Sequence, residues 1–303
     1  MEEWRRNLAL FYLLIAPAVI WLALFFIIPM GYMVVLSLSQ SVGPTETVYT
    51  GSLDAYRQIF QRGENGNFLF LQIIGSSLVI AALTTLVCLI IGYPVAIAIT
   101  FAPPKWRPIL LLLVILPFWT NLLIRTYALM AVFRTSGVLN QSLEFIWTHS
   151  PLVFFGEFQP LNLLYNQGAI IAGLVYIHLP FMVLPLYTAL EKLDRSYLEA
   201  SLDLGAGQWR TFWRVMVPLT MPAIIVGCMI TFIPAFGALV TPNLLGGPDN
   251  QMVGNLIEQQ FKSANNWPFG AALSLLLVYI TFILLALQSL FASRRTRLEA
   301  TRP

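Results

Sequence analysis

Charge is what this sequence has least of: only 10% of its 303 residues are Asp, Glu, Lys or Arg, against 58% apolar residues. A soluble chain of this length needs a charged skin over most of its surface. The shortage argues against a water-borne globular protein and for an outer surface that faces lipid. Cysteine is nearly absent as well. Cys88 and Cys228 each sit in an apolar run, which leaves no disulfide framework and no zinc-type spacing. The two histidines, His149 and His178, lie far apart in sequence and read as structural residues, not as a metal pair. No Gly-x-x-x-x-Gly-Lys-Ser/Thr loop occurs, so the chain does not bind ATP by that route, and no His-Glu-x-x-His metalloprotease motif occurs either. Internal repeats and low-complexity segments are also missing.

What is present is apolar length. Mean hydropathy is +0.75, and six stretches are long enough to cross about 30 Å of hydrocarbon, which takes roughly 20 residues. They fall near 8–30, 72–100, 109–133, 169–190, 218–240 and 269–292 within one transmembrane domain, 1–303. Arg5 and Arg6 precede the first run in the manner of a signal peptide. That run, however, is too long for an h-region and no small-x-small cleavage site follows, so it is expected to stay as an anchor. The predicted fold class is all-α and integral to the membrane, with about six spans.

The basic residues orient the spans. With a cytoplasmic N-terminus, the inner side carries Arg5, Arg6, Lys105, Arg107, Lys192, Arg195, Arg210, Arg214, Arg294, Arg295, Arg297 and Arg302. The outer loops carry Arg57, Arg62, Arg134 and Lys262, and Arg125 lies within the third span. This positive-inside bias predicts two cytoplasmic termini. Outside, Leu53, Tyr56, Ile59 and Phe60 recur at helical spacing behind a candidate cap, Ser52, and Ser136–Trp147 forms a second short helix. These helices either close the outer surface or dock an extracytoplasmic partner. Pro94, Pro117, Pro180, Pro185, Pro222 and Pro234 fall inside spans. Each removes a backbone hydrogen bond, and the freed carbonyl must find protein or a wet cavity.

The loop between the fourth and fifth spans, 191–217, carries the most specific pattern. Ser196 and Glu199 have capping-box spacing, predicting a short helix from Tyr197 that Gly205 stops. Trp209, Phe212, Trp213 and Met216 fall at i, i+3, i+4 and i+7. They define an aromatic-faced helix suited to the headgroup level before Pro218 opens the fifth span.

Glu199-Ala200-Ser201, then Gly205, then Val215-Met216-Val217-Pro218 resembles the EAA motif of ABC import permeases with the MetI-like transmembrane domain. Ser201 stands for the motif's third alanine, and valines stand for isoleucine and leucine. The resemblance implies a coupling helix seated in an ATPase cleft, with Glu199, Ala200, Ser201 and Gly205 at its centre and Asp203 beside them. Most of the chain is also similar to spermidine/putrescine importer permeases. The likeness runs through 53–56, Pro117-Phe118-Trp119-Thr120-Asn121-Leu122-Leu123-Ile124-Arg125, 179–187, 191–194, Leu245-Gly246-Gly247-Pro248 and 266–270.

That likeness implies a MetI-like fold in a bacterial inner membrane. The chain would be a non-catalytic subunit without a cofactor of its own, paired with a similar second permease. Two ATPase subunits holding ATP and Mg and an extracytoplasmic binding protein would complete the importer, with no nucleic acid involved. The implied cargo is a small amine, putrescine or spermidine, the alternative being an amino acid or a derivative.

No Asp or Glu lies inside any predicted span. Cation passage would therefore lean on aromatic faces. Phe118, Trp119, Tyr127, Tyr176 and Phe236 are the candidates, with Asn121 and Asn243 as polar neighbours and Arg125 as the one in-span charge. Phe and Tyr in spans more often pack than bind. An ion-coupled transporter would require buried carboxylates and often inverted repeats, and an intramembrane enzyme a base and nucleophile. The sequence offers none of these.

Overall fold

The computed structural model describes residues 8–43, 46–62, 68–150 and 158–300. Arg5, Arg6 and Arg302 lie outside them, as do the side chains of Arg294, Arg295 and Arg297. In chain order the helices are α1 (Leu8–Leu22), α2 (Ile28–Ser37), α3 (Asp54–Gln58), α4 (Leu69–Phe101), α5 (Arg107–Ile115), α6 (Leu122–Phe133) and α7 (Val138–Thr148). They continue with α8 (Gln167–Glu191), α9 (Ser196–Asp203), α10 (Gln208–Thr211), α11 (Val217–Phe236), α12 (Val253–Lys262) and α13 (Trp267–Ala300). One antiparallel pair, β1 (Ser39–Ser41) and β2 (Thr47–Tyr49), aligns Ser39 with Tyr49. Among the described residues six helical stretches are long and apolar enough to span: Phe11–Ser37, Leu69–Phe101, Leu122–Thr148, Gln167–Glu191, Gln208–Phe236 and Trp267–Ala286.

The chain sorts into two compact units. The first holds 1–71 and 256–280. Its leading helices α1 and α2 join through one π turn, Ala23–Ile27, and no side chain from Phe11 to Val35 is buried. As expected, Ser52 Oγ accepts from the Asp54 N–H ahead of α3. Tyr56 of α3 then meets Ser37 at 3.0 Å. Phe70 and Phe269 pack edge to face at 4.8 Å.

The second unit holds 72–255 and 281–303, and α8 is its axis. Met182, Val183 and Leu186 of α8 are fully buried against Cys88, Tyr93 and Ala96 of α4 and against Ile224 of α11. Gly92 and Gly227 let two neighbours close on Met182. A Cβ at Gly227 would come within 2.8 Å of its sulfur. Tyr93 and Thr220 tie α4 to α11 through their hydroxyls at 2.6 Å. Burial of this kind contributes about 25 cal/mol per Å² only where water is the alternative. Between lipid-facing helices, close packing and the buried hydroxyl pair do the holding.

Two expectations change. The third apolar run, 109–133, is not one helix. α5 tightens into a 3₁₀ turn, Leu116–Trp119, Thr120 is extended (φ −83°, ψ 150°), and α6 restarts at Leu122. Pro117 has no N–H to continue the α ladder, and Asn121 offers a better bond as a cap. The fifth run, 218–240, leaves the helix after Phe236. Beyond Gly237 the chain folds back through a π turn, Pro242–Gly246.

Candidate functional site: the loop after the fourth span and the broken third span

α9 begins one residue earlier than the capping-box spacing predicts, and the box does not form. Arg195 holds the N-cap position without a side-chain bond. Asp194 takes over, its Oδ1 accepting from the Ser196 N–H at 3.0 Å. The Ser196 backbone and side chain, in that order, hold the Asp194 carboxyl below its usual range. The stop at Gly205 is as expected. Its φ is +81°, the Gly205 N–H donates to Leu202 O at 2.9 Å and the Ala206 N–H to Ser201 O at 3.1 Å. Those two bonds are the Schellman pair, and they satisfy carbonyls that a free helix end leaves open.

Glu199, Ala200, Asp203 and Gly205 are all exposed, and Leu204 at the tip is 89% exposed. Ser201, the motif's departure, is tied down: its hydroxyl meets that of buried Thr211 at 3.0 Å. The sequence reading missed Thr211, since a single threonine ten residues away carries no periodic signal.

Behind α9, the aromatic segment is α10 followed by a π turn, Phe212–Met216. Phe212 stacks on Trp209 at 5.6 Å and meets Tyr93 edge-on at 5.4 Å. Arg195 lies 5.4 Å over the Phe101 ring. A recess of about 810 Å³ separates Leu198 and Leu202 of α9 from Ile97 and Phe101 of α4 and from Trp209. Beside that recess α9 is seated on the bundle through Leu198, which packs against the core, and through the Ser201–Thr211 bond.

The break in the third span gathers Phe118, Asn121 and Arg125. Asn121 Oδ1 caps α6 by accepting from the Leu123 N–H at 2.8 Å. Arg125, only 7% exposed, donates through Nη2 to Thr120 O at 3.0 Å and to Phe118 O at 3.5 Å. Its Nε and Nη1 are buried without a partner among the described residues. The Phe118 ring lies 5.8 Å from the guanidinium and meets Phe181 of α8 edge-on at 5.3 Å. The C-terminal carbonyls of a helix segment carry partial negative charge, so Arg125 sits where the backbone favours a cation.

Trp119 and Tyr127 are exposed. Tyr176 borders a recess of about 380 Å³ with Pro117 and Pro180. Phe236 is 1% exposed and stacked on Phe232. Asn243 Oδ1 accepts from Asn255 Nδ2 at 2.6 Å inside the fold-back segment. Of the histidines, His178 Nδ1 bonds to Leu174 O and His149 Nδ1 to Phe145 O, both local helix contacts.

Six apolar helices and a glycine-stopped helix bearing the EAA pattern define a class, the MetI-like transmembrane permeases of ABC importers. The chain belongs to the family described as binding-protein-dependent transport system inner membrane component, whose model matches residues 6–297. It is 40% identical over 265 residues, 88% of each chain, to the spermidine/putrescine transport system permease protein PotB of Haemophilus influenzae. It is 39% identical to the Escherichia coli K12 protein of that name, over 90% of this chain and 94% of the relative. Among solved structures, a bacterial ABC transporter that imports the acidic polysaccharide alginate shares the fold. The TM-score is 0.75 over 97% of this chain and 98% of the other, at 17% identity.

Proposed function

We propose that this chain is one of two similar permeases of an ATP-driven importer for polyamines, putrescine or spermidine. The observation that carries the cargo is the 40% identity, over 88% of both chains, to a permease named for those two amines. Two ATPase subunits, binding ATP and Mg, would seat α9 on their surfaces. Glu199, Ala200 and Asp203 would line the contact, Leu204 would fill a pocket, and Gly205 would fix the angle. The basic bias of the loops supports cytoplasmic termini and places α9 on the ATPase side. The exposed flank from Phe11 to Val35 leaves room for the second permease, and an extracytoplasmic binding protein would deliver substrate to the opposite side.

The driving energy comes from outside the chain. ATP must bind one arrangement of the assembly better than the other, and this permease transmits that difference to its spans. The test is uptake of labelled spermidine and putrescine by cells with and without this chain, its partner subunits present in both. Loss of uptake on deletion is expected. Unchanged polyamine uptake alongside lost amino-acid uptake would overturn the cargo.

A further inference from the structure

The recess beside α9 has an apolar wall and a cationic rim. Ile97 and Phe101 at the end of α4, Leu198 and Leu202 of α9, and Trp209 and Phe212 behind them border about 810 Å³. Gln208, Thr211 and the Trp209 indole are the polar groups in that wall, and the Thr211 hydroxyl is already spent on Ser201. Phe101, Leu202 and Trp209 are exposed, so the chain's own side chains do not close the space. Water against such a wall is unfavourable, and the volume lies within the range of ligand pockets, about 300–1,000 Å³.

Level and charge select the occupant. Lys105, Trp106 and Arg107 follow α4, and Trp106, Trp209 and Trp213 are all exposed, as in an interfacial aromatic belt. Arg195, Leu198 and Leu202 fall at i, i+3 and i+7, on one face of α9. The Arg195 guanidinium lies 5.4 Å over the Phe101 ring and forms no ion pair among the described residues. Arg210 follows Trp209 and is exposed. The acids of α9, Glu199 and Asp203, stand one residue on from Leu198 and Leu202, about 100° round the helix and off the recess face.

We propose that this recess binds an anionic phospholipid of the inner leaflet, one acyl chain lying between α9 and α4 and the phosphate held by Arg195, with Arg210 adding charge. Basic pockets at the cytoplasmic ends of spans take such headgroups, and the adjoining apolar space selects a lipid over free phosphate. The acyl chain fills the gap between α9 and the end of α4, so force applied to α9 reaches α4 through it. The site holds whatever the cargo is. Its leaflet and its effect on coupling rest on the orientation and the ATPase contact proposed above.

The probe is phosphatidylglycerol with a diazirine on one acyl chain, added to the assembled importer in phosphatidylcholine nanodiscs, the labelled peptide being read by mass spectrometry. Labelling should fall within 97–101 and 202–212, and unlabelled phosphatidylglycerol should reduce it severalfold where phosphatidylcholine does not. Arg195→Ala should lower it severalfold, Arg195→Lys should lower it less, and Ala98→Phe, which puts a ring into the recess, should abolish it. Arg195→Ala, a change at an exposed side chain, decides the matter if Ala98→Phe does not assemble. Substrate-stimulated ATP hydrolysis should rise severalfold when phosphatidylglycerol is added to the native importer, and should not respond in Ala98→Phe, whose ring supplies the filling. Equal competition by the two lipids, or labelling confined to other segments, would overturn the site. Site-specific labelling with hydrolysis indifferent to phosphatidylglycerol would overturn the link to coupling. Reaction of Asp203→Cys with an impermeant thiol reagent in intact cells would overturn the leaflet, separately from the binding.

Discussion

The Arg125 guanidinium donates to the Thr120 carbonyl at 3.0 Å, so a side chain from the second half of the third span holds the end of the first half. The bond is charge-assisted and part-buried, and no other donor among the described residues reaches that carbonyl. Arg125→Leu should cost about 1.5–3 kcal/mol, the range for a hydrogen bond to a charged group. Thermal unfolding in mild detergent should show a drop of several degrees, with Arg125→Lys between the two. An unchanged transition would mean that water serves the break equally well.

Gly205 isolates backbone conformation from packing. A Cβ there would meet nothing within 4 Å, so a substitution is penalised through φ +81° alone. For an L-residue that is about 1–2 kcal/mol. Gly205→Val should therefore fray the end of α9 and reduce substrate-stimulated ATP hydrolysis in the complex severalfold while membrane levels stay normal. Gly205→Asn should do less harm, since asparagine tolerates the left-handed region. Equal activity for valine and glycine would remove the bend from the coupling mechanism.

These two positions show what sequence reading reaches. Gly205 was legible because a helix stop needs one local residue, and hydropathy marked apolar runs without resolving the third, which the structure divides into Arg107–Ile115 and Leu122–Phe133. The break at 116–121 was invisible to hydropathy, because leucine, phenylalanine and tryptophan score alike in an α-helix and a 3₁₀ turn. Pro117 followed by Thr-Asn is the signal that could have found it. The failure of the Ser196–Glu199 box has a similar origin, since Asp194 competes for the same N–H groups from two residues earlier. The Ser201–Thr211 bond and the burial of Phe236 depend on how segments meet, and no periodicity encodes that.

Ser201 and Thr211 should behave as a coupled pair. Their hydroxyls meet at 3.0 Å, and Thr211 is buried. A double-mutant cycle with Ser201→Ala and Thr211→Val should give an interaction of about 0.5–1.5 kcal/mol. Thr211→Val should also impair coupling more than Ser201→Ala, because the motif's usual residue at 201 is alanine. Strict additivity of the two changes would show that the bond does not hold α9 to the segment behind it.

The Asp194 cap sets a pH window. Its carboxyl titrates below the usual carboxylate range because the ionised form accepts from Ser196. A depressed folded value adds stability above the unfolded pKa of about 3.9, and that stability is lost as pH falls through the folded value. Protection factors of the α9 amides, corrected for intrinsic exchange, should stay flat from pH 8 to 5 and drop below about pH 4. Asp194→Ala should lower them from pH 8 to 5 and make little difference once the carboxyl is protonated. A midpoint near neutrality would assign the cap to another group.

Gly254 offers the severest packing test. A Cβ there would fall 2.6 Å from the Ala238 carbonyl oxygen and 2.9 Å from that of Gly237. Both are backbone atoms in the segment that turns the fifth span back, so no rotamer change relieves the clash. Buried Asn255 fixes the same segment by donating to Leu239 O and Asn243 Oδ1. Gly254→Ala must push the two stretches apart and should cost about 1–3 kcal/mol, the usual penalty of overpacking. Reduced folded yield in membranes and a lower unfolding temperature are expected. Gly207→Ala, where a Cβ meets nothing within 4 Å and φ is ordinary at −72°, should be near neutral. If both variants unfold alike, the fold-back segment is looser than its contacts require.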